Sequence, residues 1–143
     1  MRKLLIAVDP HDPARTRSAV EEAMRIHRDE PVGICLVRVQ PKLSGHVAMF
    51  FGTRELQQLQ QDAGEEDLAY ARSLLDAQAI PYTSTVLVGR TAETIARAAH
   101  DLGCDRILFG LEEPRLAGRI FGSLAQQVRQ LLGPGGQHQV IGS

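Results

Sequence analysis

Short apolar runs alternate with longer helical segments along the chain, and this alternation restricts the fold more than any other feature. The first run, residues 3–8 (KLLIAV), is nearly continuous in apolar residues, which is typical of a strand buried on both faces of a parallel sheet. Residues 32–39, 82–88 and 107–109 are further strand candidates, and residues 139–141 are a short fifth one. Strands that alternate with helices in this way predict an α/β fold with a parallel sheet and right-handed crossovers.

Four segments between these strands have the spacing of amphipathic helices. They span residues 14–28, residues 53–79, residues 91–102 and a last segment that opens at Gly122-Ser123. Asp12 can cap the first helix, Thr91 can cap the third, and Gly103 suits the position just beyond the end of the third. The 143 residues therefore predict one doubly wound, Rossmann-like domain over residues 1–143.

Apolar stripes suggest how two of these helices pack. Within residues 53–79, one stripe consists of Leu56, Leu59 and Ala63, and another of Leu68, Ala71 and Leu75. Gly64 lies between the stripes at a cost of about 1 kcal/mol relative to alanine, which indicates a bend where the stripes change. The apolar positions of the last helix are Leu124, Val128, Leu131 and Leu132.

Composition and charge exclude several classes of protein. An apolar fraction of 43% and a charged fraction of 23% are ordinary for a globular protein. The net charge of -1 provides no attraction to nucleic acid or to an anionic membrane. No run approaches the roughly 18 apolar residues of a membrane span, and the first strand follows Met1 too closely for a signal peptide. We therefore expect a cytoplasmic protein that binds neither nucleic acid nor membrane.

The sequence predicts no metal site. The two cysteines, Cys35 and Cys104, lack the spacing of metal ligands and are expected to be small thiols that line the core. Asp9, His11 and Asp12 form a loose acidic and histidine cluster, but Asp12 has a simpler role as a helix cap.

The ends of the predicted strands carry the candidate ligand-binding residues. In open parallel sheets, ligands bind beyond the carboxyl ends of the strands, near the point where the strand order reverses. Asp9 and Pro10 follow the first strand, Val39 ends the second and Gly110 ends the fourth. Each also has a purely structural explanation, because Asp9 before a proline is typical of a turn and Val39 suits a buried strand.

The start of the last helix has a shape that can hold an anion. Backbone N–H groups at Gly122 and Ser123 are free at a helix N-terminus, where the helix dipole favours negative charge. Glycine at positions 110 and 122 would let the backbone approach a phosphate closely. Alternatively, Ser123 is an ordinary N-cap and Gly110 merely lets the chain turn.

Several segments, in the right order, resemble the universal stress protein family over essentially the whole chain. They are KLLIAVDP, LVRVQP, VGRTAETIARAAHDLGCD and ILFG…GSLAQQV. The resemblance implies a five-stranded parallel sheet with four helices, of the adenine-nucleotide alpha hydrolase-like type. It also implies a non-catalytic stress-response protein that acts as a homodimer, often formed through the last strand, and that can have regulatory protein partners.

The family resemblance also bears on nucleotide binding. Members that bind ATP carry Gly-x-x-Gly, nine residues, and then Gly-Ser or Gly-Thr. Here Gly110 matches the first glycine, Glu113 stands in place of the second, and eight residues separate it from Gly122-Ser123. Carried over residue by residue, Asp9 and Val39 would lie near the ribose and adenine of a bound nucleotide, and Gly110, Gly122 and Ser123 near its phosphates.

Two interpretations of this altered loop remain open. In the first, the charge of Glu113 repels phosphate, and the protein is a regulatory dimer that binds nucleotide weakly or not at all. In the second, Arg115 and Arg119 replace the missing glycine as phosphate ligands, and the protein is an ATP- or AMP-binding switch. Arg119 could equally pair with Glu112 or Glu113. A slow nucleotide hydrolase is the weakest hypothesis, because His11 and Asp12 are the sole candidate bases.

The segment 40–52 is irregular and strongly apolar. It contains Phe50 and Phe51, half of the protein's four phenylalanines. Such a segment must be covered, and it could fold over the domain's own core, close over a ligand or form a subunit interface.

Overall fold

The computed structural model describes residues 2–42, 52–110, 124–133 and 139–142. The strands are β1 (Arg2–Ala7), β2 (Val32–Gln40), β3 (Thr83–Val88), β4 (Arg106–Gly110) and β5 (Gln139–Gly142). The helices are α1 (Pro13–Asp29), α2 (Thr53–Ala77), α3 (Thr91–Leu102) and α4 (Leu124–Leu132). None of the helices in these ranges combines the length and the hydropathy required to span a bilayer. Most of the apolar segment 40–52 lies outside the described residues.

The strands form one sheet in the order β3-β2-β1-β4-β5. All four neighbouring pairs are parallel, and Ile6 at the centre of the sheet lies opposite Leu36 of β2 and Leu108 of β4. The strand order reverses between β1 and β4, so ligand binding is expected beyond the carboxyl ends of these central strands. The predicted doubly wound α/β fold is confirmed.

The continuous apolar runs are explained by a sheet that is covered on both faces. Successive side chains of a strand point to opposite faces, so each run supplies two separate apolar layers. The layer between the sheet and helices α1 and α2 includes Leu4, Ile6, Leu36, Val20, Leu68 and Leu75. The layer between the sheet and helices α3 and α4 includes Leu5, Val37, Ile107, Ile95 and Val128.

Two of the three predicted helix-end residues have the expected role. The Asp12 carboxylate accepts a hydrogen bond of 3.0 Å from the Arg15 backbone N–H, and Gly103 ends α3 with a φ of 70°. The prediction that Thr91 caps α3 was wrong. The helix begins at Thr91, as predicted, but Arg90 is its capping residue and no side chain caps it, so Thr91 lies within the first turn.

The apolar stripes are only partly buried. Leu68, Ala71 and Leu75 of α2 are fully buried, but Leu59 is 51% exposed and Leu131 of α4 is 52% exposed. These two leucines therefore contribute little to the domain's core.

Gly64 has a packing role rather than a bending one. It is buried within the unbroken helix α2, and a Cβ atom added there would lie 2.4 Å from Cγ1 of Val86 on β3. Glycine at this position lets the helix approach the sheet closely. This packing explains why a residue of unfavourable helix propensity lies inside the helix.

Candidate functional site

A cavity of about 210 Å³ opens at the carboxyl ends of β1 and β2. Its lining residues are Ala7, Val8, Asp9, Arg15, Val37, Arg38, Val39, Thr91, Ile95, Phe109 and Leu124. Asp9 and Val39, which the sequence placed at this edge of the sheet, line the same cavity. The cavity combines apolar walls with a small number of charged groups, which is the usual composition of a site for a small molecule.

Asp9 is held firmly in the turn after β1. Its backbone N–H donates to the Thr16 hydroxyl at 3.1 Å, and that hydroxyl donates to the Asp9 carbonyl oxygen at 3.1 Å. One carboxylate oxygen of Asp9 accepts a hydrogen bond of 2.9 Å from the His11 backbone N–H. Asp9 is thus both a turn residue and a cavity residue, and the turn fixes the position of its carboxylate.

Arg38 and Val39 belong to adjacent positions of β2 and both line the cavity. Val39 is 4% exposed and contributes an apolar wall. The Arg38 guanidinium donates to the Asp67 carboxylate on α2 at 2.9 Å and to the Val39 carbonyl oxygen at 2.8 Å. These contacts hold a positively charged group near the end of the strand.

Arg15 is a cavity residue that the sequence reasoning missed. It lies in the first turn of α1, is 8% exposed, and its Nε donates to the carbonyl oxygen of Phe109 on β4 at 2.9 Å. A cation in the first turn of a helix interacts unfavourably with the helix dipole. This unusual placement is the feature of the sequence that could have identified Arg15. With Asp9 and Arg38, the lining has two arginines and one aspartate, and the charge of Arg38 is already balanced by the Asp67 carboxylate.

Pro10 and Gly110 lie near this cavity but line neighbouring ones. Pro10 lines a cavity of about 290 Å³ between α2 and the start of α1. Asp9 lines both this cavity and the 210 Å³ cavity. Gly110 lines a cavity of about 180 Å³ beside α1. It has a φ of 79°, and a Cβ atom added there would lie 2.1 Å from the Arg15 carbonyl oxygen. Gly110 therefore lets the end of β4 pass directly beneath α1.

The remaining predicted site residues lie outside the described residues. They are Arg115, Arg119, Gly122 and Ser123, together with Glu113. Leu124, the first residue of α4, lines the cavity, so the described part of the last helix begins beside it. Among the described residues, no group of three or more His, Cys, Asp or Glu side chains is arranged to hold a metal ion.

A model of the universal stress protein family matches residues 1–131 of the chain. The chain belongs to the universal stress protein family. The match includes every described strand and helix except β5 and the end of α4, so the doubly wound domain and the family assignment cover nearly the same residues. Comparison with curated protein sequences found no match.

Solved structures of universal stress proteins share the fold of this family member. One is a universal stress protein in complex with cAMP, with a TM-score of 0.71, 16% identity, and coverage of 99% of this chain and 96% of the other. A protein from Archaeoglobus fulgidus in complex with dAMP has a TM-score of 0.65, 18% identity and coverages of 99% and 97%. An Arabidopsis thaliana family protein with AMP bound has a TM-score of 0.62, 13% identity and coverages of 99% and 90%.

Proposed function

We propose that this universal stress protein is a regulatory protein that binds an adenosine monophosphate in the cavity beside Asp9 and Val39. The observation that carries the proposal is the position of this cavity and the set of residues that line it. It lies at the carboxyl ends of the central strands, and its charged lining residues are Asp9, Arg15 and Arg38. In support, the three related proteins named above were solved with cAMP, dAMP and AMP, each a monophosphate.

The lining residues provide separate contacts for the parts of such a nucleotide. The Asp9 carboxylate is an acceptor suited to ribose hydroxyls. Val39 and Ile95 supply apolar surface on which an adenine ring can pack. Arg15 and Arg38 bring guanidinium groups to the lining, and guanidinium N–H groups form strong hydrogen bonds to phosphate. The assignment requires no catalytic residue.

The loop that follows β4 favours a monophosphate over ATP. Glu113 stands where ATP-binding members of the family carry glycine, and the spacing to Gly122-Ser123 is eight residues rather than nine. A carboxylate near the β- and γ-phosphates adds like-charge repulsion, whereas a single phosphate needs fewer loop contacts. This loop lies outside the described residues, and the competing function, a regulatory dimer that needs no nucleotide, rests on the same substitution.

Nucleotide titration of the purified protein tests the proposal. We expect AMP to raise the melting temperature, because a ligand that binds the folded state alone adds RT ln(1 + [L]/Kd) to its stability. Calorimetric titration of Asp9→Ala should give a Kd for AMP at least tenfold higher than that of the parent protein. Asp101→Ala, an exposed aspartate of α3, is the matched control and should bind as the parent does. Equal AMP affinity in both variants, or no binding at millimolar AMP, would contradict the proposal.

Two changes in the loop separate the monophosphate switch from its competitor. Arg119→Ala should weaken AMP binding by more than tenfold if this arginine contacts the phosphate. Glu113→Gly combined with one inserted residue restores the family spacing and should raise ATP affinity relative to AMP. If neither the parent protein nor this restored loop binds any adenine nucleotide in calorimetry, the nucleotide-independent dimer is the better assignment.

We further propose a homodimer formed through β5. This strand is at the edge of the sheet, and an edge strand presents unpaired backbone groups on one side. Light scattering coupled to size exclusion should give twice the chain mass of 15.7 kDa. A mass of one chain at micromolar concentration would reject the dimer without affecting the nucleotide site.

A further inference from the structure

The sheet leaves an opening at its amino edge, because β2 begins before β3 there. The first pair between the two strands joins Cys35 to Thr83, so residues 32–34 of β2 extend beyond β3, while their other side pairs with β1. A cavity of about 340 Å³ lies at this step and shares no lining residue with the Asp9 cavity at the opposite edge. Its lining residues are Lys3, His27, Pro31, Val32, Gly33, Ile34, Cys35, Pro81, Tyr82 and Thr83.

Gly33 lies in the wall of this cavity, although neither its conformation nor its packing against the described residues requires glycine. Its φ is negative. A Cβ atom added there would lie 3.4 Å from Lys3 Cγ and 3.9 Å from the Arg2 carbonyl oxygen, which are ordinary van der Waals contacts. Glycine weakens the interior of a strand, and it often marks a place where a ligand approaches the backbone closely. We therefore infer that Gly33 keeps the cavity open.

Two side chains bring nitrogen atoms to the lining. His27 is near the end of α1, and its Nδ1 atom is buried with no hydrogen-bond partner in the described part of the chain. Buried polar atoms are nearly always hydrogen bonded, and an imidazole can carry a proton on Nδ1. Lys3 Nζ donates one hydrogen bond of 3.3 Å to the Leu102 carbonyl oxygen, but an ammonium group has three N–H donors. Both side chains can therefore bind an acceptor on a ligand.

The charge and polarity of the lining indicate the class of ligand. Lys3 brings a positive charge, and neither Asp nor Glu is among the lining residues. The remaining surface is mainly apolar; in it, Cys35 is a buried free thiol, as the sequence predicted. Apolar walls with a few polar groups are typical of small-molecule sites. A carboxylate suits one ammonium group and one imidazole better than a phosphate does, since a phosphate offers more acceptor oxygens than these two groups can bind.

We propose that this cavity binds a small carboxylic acid with an apolar body, such as an aromatic ring system. The carboxylate forms an ion pair with Lys3 and accepts a hydrogen bond from His27 Nδ1. The apolar body packs against Pro31, Ile34 and Pro81. The site does not depend on the proposed nucleotide site, so its test is valid whether or not the protein binds AMP.

Calorimetric titration with 2-naphthoate tests the proposal, and 2-naphthamide, which has the same rings without the charge, is the reference compound. We expect a Kd for 2-naphthoate that is about tenfold lower than that for 2-naphthamide, because the ion pair and the charge-assisted hydrogen bond require the carboxylate. In NMR spectra of isotope-labelled protein, 2-naphthoate should shift the amide signals of Gly33 and Thr83 but not that of Asp9. Equal affinity for the two compounds, no binding of 2-naphthoate at millimolar concentration, or shifts confined to the Asp9 edge would overturn the proposal.

Two substitutions test the polar contacts. Lys3→Met removes the charge but keeps a side chain of similar length, and it should weaken 2-naphthoate binding about tenfold while the binding of 2-naphthamide is unchanged. Lys42→Met is the matched control, since Lys42 is exposed beyond the carboxyl end of β2 and is the other lysine of the chain. His27→Phe keeps an aromatic ring without the nitrogen and should weaken 2-naphthoate binding several-fold. Equal affinity for 2-naphthoate in Lys3→Met and Lys42→Met would refute the assigned ion pair.

Gly33→Val tests the position of the site by filling it. Valine suits a strand, and the contacts of the added Cβ are ordinary, so circular dichroism should show a folded protein. The variant should bind neither 2-naphthoate nor 2-naphthamide. Binding of 2-naphthoate by folded Gly33→Val with the parent Kd would place the ligand elsewhere and reject the proposal.

Discussion

Gly110→Ala is expected to lower the free energy of unfolding by about 2–5 kcal/mol. About 1–2 kcal/mol of this loss comes from placing a residue with a Cβ in the left-handed conformation, and about 1–3 kcal/mol comes from overpacking. Gly110 has a φ of 79°, and the added Cβ would lie 2.1 Å from the Arg15 carbonyl oxygen and 3.2 Å from the Ala19 nitrogen. Both contacts are backbone atoms of α1, which cannot rotate away as a side chain can. Urea denaturation monitored by circular dichroism measures the loss.

Gly103→Ala is the matched control for this substitution. Gly103 also has a positive φ, 70°, but a Cβ atom there would have nothing within 4 Å. We expect a loss of about 1–2 kcal/mol from the backbone conformation alone. Equal losses in the two variants would show that α1 shifts to accommodate the methyl group, and that Gly110 is required for its conformation rather than for the close approach of β4 to α1.

Leu68→Ala is expected to cost about 2–5 kcal/mol, because deletion of a buried leucine side chain removes apolar burial and leaves a cavity. Leu68 lies on α2 and is 0% exposed, packed in the layer that α1 and α2 form over the sheet. The same denaturation measurement detects the loss as a lower urea midpoint at nearly constant slope.

Leu59→Ala makes the identical chemical change on the same helix. Leu59 is 51% exposed, so the substitution should alter stability by no more than about 0.5 kcal/mol in either direction. A loss comparable to that of Leu68→Ala would mean that the first stripe of α2 is buried in solution, for example within an assembly of several chains, and the difference would then depend on protein concentration.

The sequence by itself determined the elements and one edge of the site. Continuous apolar runs and helical periodicity located the strands and helices, because these signals depend on neighbouring residues alone. Asp9 and Val39 could be placed together because all parallel strands end at the same edge of a sheet. The role of Asp12 as a cap was equally local.

Only the tertiary structure decided which distant residues meet. The entry of Arg15 into the cavity and the close packing of Val86 against Gly64 both join separate elements. These contacts follow from the strand order β3-β2-β1-β4-β5 and from the height of each helix above the sheet. Periodicity along one element carries no information about either quantity, because it specifies which face is apolar and not what that face will contact.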